Sequence, residues 1–222
     1  MSPRSWFPLL LVAVLVAACS SGPATDTSVG PVGDLGPEGV VRSLLADVQA
    51  GRYDHAASLT DAEQAVLLTL AEGADATDVT ESLTDGGTAV AANFWSGFAQ
   101  TLDPAEDTSG WPVEVGEEIE EGGDTFVAVR ILPGEDDTRT LFLRRNGTWQ
   151  VDMMASFGPI LAERLTPPVE SLLSSANANA ASVLALLVDS VPSLQVAEAN
   201  TELPPATHQA VLGLIERITR AG

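Results

Sequence analysis

Apolar residues along this chain recur with two different periods. From Glu38, just after Pro37, Val41, Leu44, Leu45 and Val48 return every three or four residues until Gly51, the spacing that gathers them on one helical face. Arg52 to Ala57 starts a second short helix or turn. Thr60-Asp61-Ala62-Glu63 then has the spelling of a capping box for a helix running through Leu70. A further helix, from about Thr88 to Leu102, carries Val90, Phe94, Trp95, Phe98 and Leu102 behind the breaker Gly86-Gly87.

The period then shortens. Val113 to Ile119 and Thr125 to Leu132 alternate and hold β-branched residues, which predicts two strands joined by the turn Glu121-Gly122-Gly123-Asp124. Thr140 to Arg145 and Thr148 to Met153 predict a second hairpin about Asn146-Gly147, a pair suited to a type I′ turn. Counted outward from that turn, Arg144 faces Trp149, Phe142 faces Val151 and Thr140 faces Met153. Phe142, Trp149, Val151 and Met153 would then share one sheet face, with the Arg144 stem beside the indole. Leu141 and Leu143 would lie on the other, half-apolar face with Gln150 and Asp152. Asn146-Gly147-Thr148 also spells a glycosylation sequon, which the turn explains as geometry.

After the last strand, Ser156 to Gly222 is mostly small and apolar, with runs at 159–161, 169–173, 183–188 and 211–218. Pro167-Pro168, Pro192 and Pro204-Pro205 punctuate it into three expected helices, since proline suits a helix's first turn. The run from Ser182 to Val188 is too short to span a bilayer, so packing on the half-apolar sheet face is the expectation. The alternative is a helix face kept for an envelope partner.

This order of elements resembles a family. A helix, the segment Gly51 to Ala57 (Gly-Arg-Tyr-Asp-His-Ala-Ala), further helices and strands closing on Asn146-Gly147-Thr148-Trp149-Gln150-Val151-Asp152 look like the NTF2-like, cystatin-like α+β lipoproteins. The resemblance covers roughly residues 38–155 and implies an α+β fold: N-terminal helices packed on a curved antiparallel sheet, a cone that can hold a pocket. The long helical stretch from Thr60 to Leu102 and the C-terminal helical extension depart from that pattern.

The N-terminus changes the picture of where such a domain would work. After Arg4, an apolar run from Trp6 closes on Val16-Ala17-Ala18-Cys19, which looks like a bacterial lipobox, and Cys19 is the chain's single cysteine. The run is shorter than the roughly 20 apolar residues of a spanning helix. By resemblance to bacterial lipoproteins, residues 1–18 are a signal peptide and Cys19 carries the acyl chains, such as palmitate. No disulfide can form within the chain. Residues 19–37, rich in Ser, Gly, Pro, Thr and Asp, read as a tether on the order of 20–25 Å long. Residues 38–155 would be the α+β domain, and 156–222 a helical extension packed on it.

The charge narrows the partners. The chain has a formal charge of −21, every basic residue is arginine, and the loss of Arg4 with the leader makes the balance more negative. With 31 carboxylates and scattered arginines there is no basic stripe for a phosphate backbone, so nucleic acid is not expected as a partner. The acidity itself reads as a solvated, self-repelling surface.

Catalytic groupings are few. His55 and His208 lie far apart in sequence, and neither predicts a metal site. Tyr53, Asp54 and His55 can exchange protons, but neighbours on a helix point different ways and do not converge on one substrate atom. Glu117-Glu118-Ile119-Glu120-Glu121 and Glu135-Asp136-Asp137 lack the alternating ligand spacing of a calcium loop. No cofactor is expected. The reading is a lipid-anchored, extracytoplasmic, non-enzymatic binding or scaffold domain of the cell envelope, holding a small apolar ligand or an envelope protein. Its possible pocket would be lined by Phe94, Trp95 and Phe98 facing Phe142, Trp149 and Val151, residues that would otherwise be plain core. The alternatives are a lipid or glycolipid carrier and an isomerase- or cyclase-like enzyme using Tyr53 and a carboxylate.

Overall fold

In the computed structural model the described residues are 35–102, 107–134 and 137–220. Val16, Ala17, Ala18, Cys19 and most of the expected tether therefore lie outside the described residues. Helix α1, Pro37–Gln49, starts with Pro37 at its first position and buries Val40, Val41, Leu44, Leu45 and Val48, so the anticipated apolar face is the buried one. The expected tether thus gives up Pro37 to the helix. Gly51 follows in the left-handed region with φ +70°.

Helix α2, Tyr53–Ser58, is followed by α3, Ala62–Leu68, prolonged by a 3₁₀ turn at Thr69–Glu72. The capping residue of α3 is Asp61, whose carboxylate accepts from the Gln64 amide at 3.2 Å, and not Thr60. Thr60 is diverted: its hydroxyl donates to the Ala56 carbonyl at 2.9 Å and accepts the Trp95 indole N–H at 2.9 Å. Helix α4, Ala76–Thr84, is an element the periodicity did not mark, and it carries a capping box, Asp75 with Asp78. Helix α5, Thr88–Ala99, follows Gly86 and Gly87. Gly87 has φ +67°, and a Cβ there would sit 2.7 Å from the Ala62 carbonyl oxygen.

Strands β1 (Val113–Glu121), β2 (Asp124–Gly134), β3 (Asp137–Asn146) and β4 (Thr148–Val151) form one antiparallel meander in the order β1-β2-β3-β4. A bulge in β1 sets Gly116 and Glu117 against Ala128, between the pairs Val115–Val129 and Glu118–Val127. It turns Val115 to one face and Ile119 to the other.

The second hairpin pairs Asn146 with Thr148, Arg145 with Trp149 and Leu143 with Val151, one residue away from the register expected for a two-residue turn. That slip exchanges faces. Leu141, Leu143, Trp149 and Val151 join Val127, Val129 and Ile131 in the main core under α1, while Phe142 turns to the opposite face. Arg145, not Arg144, lies over the Trp149 ring, 4.4 Å from its centroid. Met153 leaves the sheet altogether as the first residue of a helix. In this register Leu141, Leu143, Trp149 and Val151 meet the main core, and Phe142 meets Val196 and Ala197 of the helical cover on the other face.

The described residues form one compact unit. Four helices, not three, follow the sheet: α6 (Met153–Leu173), α7 (Ala178–Asp189), α8 (Val191–Asn200) and α9 (Pro205–Thr219). Pro167 and Pro168 do not begin a helix but stand inside α6, as does Pro159. The carbonyls that Pro167 and Pro168 leave without an amide donor belong to Glu163 and Arg164, both on the exposed side, where water can reach. Val196 and Ala197 of α8, with Ala155 of α6, close over Phe126 and Phe142 on the second face of the sheet. By length and mean hydropathy (1.6) the stretch Ala178–Asn200 could cross a membrane, yet Val183, Leu187, Leu194 and Ala197 within it are buried in the domain core.

Candidate functional site

A buried polar cluster forms where β4 ends. Asp152 follows Val151 directly and caps α6, accepting from the Ala155 amide at 2.7 Å. It is fully buried. Its other oxygen accepts from Ser193 Oγ of α8 at 2.8 Å and from Gln64 Nε2 of α3 at 3.1 Å. Gln64 returns the contact by accepting from the Met154 amide at 2.9 Å. One carboxylate therefore joins β4, α3, α6 and α8.

Arg144 supplies the charge. Its Nε lies 3.6 Å from Asp152, one guanidinium nitrogen donates to Asp61, and the other lies 3.6 Å from Asp124. Burial pushes the Asp152 carboxyl above the usual carboxylate range, opposed by the Ala155 amide, Arg144, Ser193 and Gln64. Burial also works against the Arg144 charge, but Asp152, Asp61 and Asp124 more than offset it and raise its pKa above the ordinary value.

A cleft of about 80 Å³ opens beside this cluster, between Asp61, Glu63, Arg144 and the α7 residues Leu186 and Asp189. It is far below the roughly 300 Å³ at which small-molecule pockets begin. Both Asp152 oxygens are already engaged and screened from solvent, so the carboxylate has no reach to a substrate proton. Its chemistry is that of a clasp.

A second buried carboxylate, Asp47 of α1, fixes the corner into α2. Arg52 binds one of its oxygens at 2.7 Å, and the Nδ1 of His55 meets the other. Tyr53 packs against the core, and Asp54 is exposed on α2. Tyr53, Asp54 and His55 are thus not brought together on one point. His208 sits on α9 against Glu198 of α8. Among the described residues no three His, Cys, Asp or Glu side chains are arranged to hold a metal.

The six residues read as possible pocket lining divide. Phe94, Trp95 and Phe98 do come together, but with Phe157 of α6, in edge-on contacts whose ring centroids lie between 4.7 and 6.4 Å apart. Trp149 and Val151 share the main core with them, and Phe142 lies in the separate cluster under α8. Phe94, Phe98 and Phe157 are half-buried around the buried Trp95. A larger cleft of about 240 Å³ runs between Leu70, Asp75, Thr77, Pro168, Ser171 and Asn177, and none of the six lines it.

Sequence reasoning missed Asp47, Gln64, Asp152 and Ser193. Two of them left a signal: Asp47 is a carboxylate set among the apolar positions of α1, and Asp152 stands between a strand and an apolar run, where a helix cap is expected. Gln64 and Ser193 leave none. No family model, no curated protein and no solved structure matches the chain.

Proposed function

We propose that this chain is a lipid-anchored, extracytoplasmic binding module of a bacterial cell envelope that recognises another protein and carries out no chemistry of its own. The observation that carries the reading is Cys19, the single cysteine, placed directly after Val16-Ala17-Ala18 at the end of an apolar run. Two or three acyl chains at about 0.8 kcal/mol per buried CH₂ hold a domain at the bilayer without basic residues. The strong negative charge suits a body held off an anionic bilayer on a tether.

Recognition of a protein, not of a small apolar ligand, is supported by the interior. Phe94, Trp95, Phe98 and Phe157 pack edge-on against one another, the clefts of about 80 and 240 Å³ are smaller than a small-molecule pocket, and the buried carboxylates are saturated by their own neighbours. The order of helices before a terminal antiparallel sheet in residues 37–151 fits the NTF2-like layout, used here as a platform.

The test is expression of the full chain in a bacterial host fed an alkyne-tagged palmitate. The chain should take up label and partition into the detergent phase, and Cys19→Ser should abolish both. Detergent-phase partition of the unlabelled Cys19→Ser chain at its processed size would overturn the anchor.

A further inference from the structure

The two edges of the sheet are unlike. At β4 the edge is occupied: the Val151 amide donates to the Leu59 carbonyl at 2.8 Å, and the Asp61 amide donates to the Val151 carbonyl at 2.9 Å. At β1, no described residue pairs with the outer edge, and the strand is exposed from Glu114 through Glu118. A strand edge left open presents a row of unpaired backbone donors and acceptors, a template for one more strand.

Three further observations say what would fit there. Val115 points to the core face of the sheet with Val129, yet is 44% exposed, so among the described residues the core is incompletely covered at this edge. β1 holds five glutamates and no cation; Glu114 and Glu118 are paired with Arg130 and Arg145, while Glu117 and Glu121 have no basic partner among the described residues. The surrounding sequence offers none either, since no lysine or arginine occurs between Arg52 and Arg130. Two copies meeting at this edge would bring their glutamate rows to a strand spacing of roughly 4.8 Å, which repulsion opposes.

We infer that β1 is a docking strand for an extended segment of another protein in which lysine or arginine alternates with β-branched apolar residues. Backbone bonds would add a fifth strand, an apolar side chain would cover Val115, and the cations would meet Glu117 and Glu121. The same charge that refuses a second copy admits this partner. The inference rests on the binding-module reading and locates its surface.

The experiment uses the full chain in detergent micelles and a nine-residue peptide of alternating lysine and valine. The peptide should bind saturably and slow amide exchange within residues 113–121. The same peptide N-methylated on alternate backbone amides keeps its charge and should bind at least about ten-fold more weakly. Glu117→Lys combined with Glu121→Lys should weaken binding by a similar factor with an unchanged thermal midpoint. No binding, equal binding of the methylated peptide, or protection outside 113–121 would overturn the inference. Should the peptide fail while a photo-crosslinker on another face still captures an envelope protein in the host, the docking strand falls and the binding-module reading stands.

Discussion

Ser193 donates its hydroxyl to the buried carboxylate of Asp152 at 2.8 Å, across 41 residues of chain, and so ties the helix over one sheet face to the strand end it covers. Replacing Ser193 by alanine leaves a fully buried carboxylate one donor short. The expected loss is about 1–3 kcal/mol. Asp152→Ala should cost more, about 3 kcal/mol or above, because it removes the α6 cap and takes from Gln64, Ser193 and Arg144 a buried acceptor they share. Urea unfolding midpoints of the two variants check the order.

The direction of the Asp152 shift sets a pH dependence. A carboxyl held above its ordinary value by burial binds its proton more tightly folded than unfolded, so its charged form is a cost to folding at neutral pH. That cost is relieved as pH falls through the raised folded value toward the ordinary one. Measured against Asp152→Asn, which does not titrate, the native chain should gain relative stability between pH 7 and about pH 4. Asp75 runs the other way: the Asp78 and Thr77 amides hold its carboxyl below the usual range, so its contribution is present at neutral pH and fades only as pH drops through that lowered value. A flat difference between the native chain and Asp152→Asn over this range would contradict the shift.

Gly122, in the β1–β2 turn at φ +63°, lies against the ring of Pro192 in the first turn of α8. Gly122→Ala must both strain the backbone and displace that ring, for an expected loss of about 1–3 kcal/mol. Pro192→Ala should recover part of the loss when combined with it. A double-mutant cycle in denaturant measures the coupling, and strict additivity would show the contact to be energetically idle.

Phe157→Ala removes the ring that packs edge-on against Phe94, Trp95 and Phe98, and because Phe157 is only half-buried the expected loss is about 1–3 kcal/mol. Urea unfolding of the variant checks the magnitude, and an unchanged midpoint would show the ring contacts to be energetically idle.

Much of the local structure was legible because it follows from spacing. The apolar stripe of α1, the aromatic stripe of α5 and the Gly122-Gly123 turn were all readable from residues close in sequence. What failed was decided at long range. Asn146-Gly147 spells a two-residue turn, but the register is settled by which face Phe142 must present to Val196 and Ala197, some fifty residues later. α4 was overlooked because only Ala76 and Val79 are buried in it, too few to show a period. Pro167 and Pro168 read as a boundary, since sequence alone does not reveal that the carbonyls they orphan, those of Glu163 and Arg164, lie on the exposed side of α6. The buried cluster was invisible for the same reason: Gln64, Asp152 and Ser193 lie 88 and 129 residues apart as counted from Gln64, and nothing at any one of them announces the others.

The cover that α8 places over Phe126 and Phe142 has a consequence for the order of events as the chain is made. Until residues near Ala197 have emerged, the meander has one bare apolar side and its capping carboxylate lacks the Ser193 hydroxyl. A nascent chain passing amino end first through a ribosome tunnel or a translocation pore would therefore hold an unfinished sheet, and closure would come late and all at once.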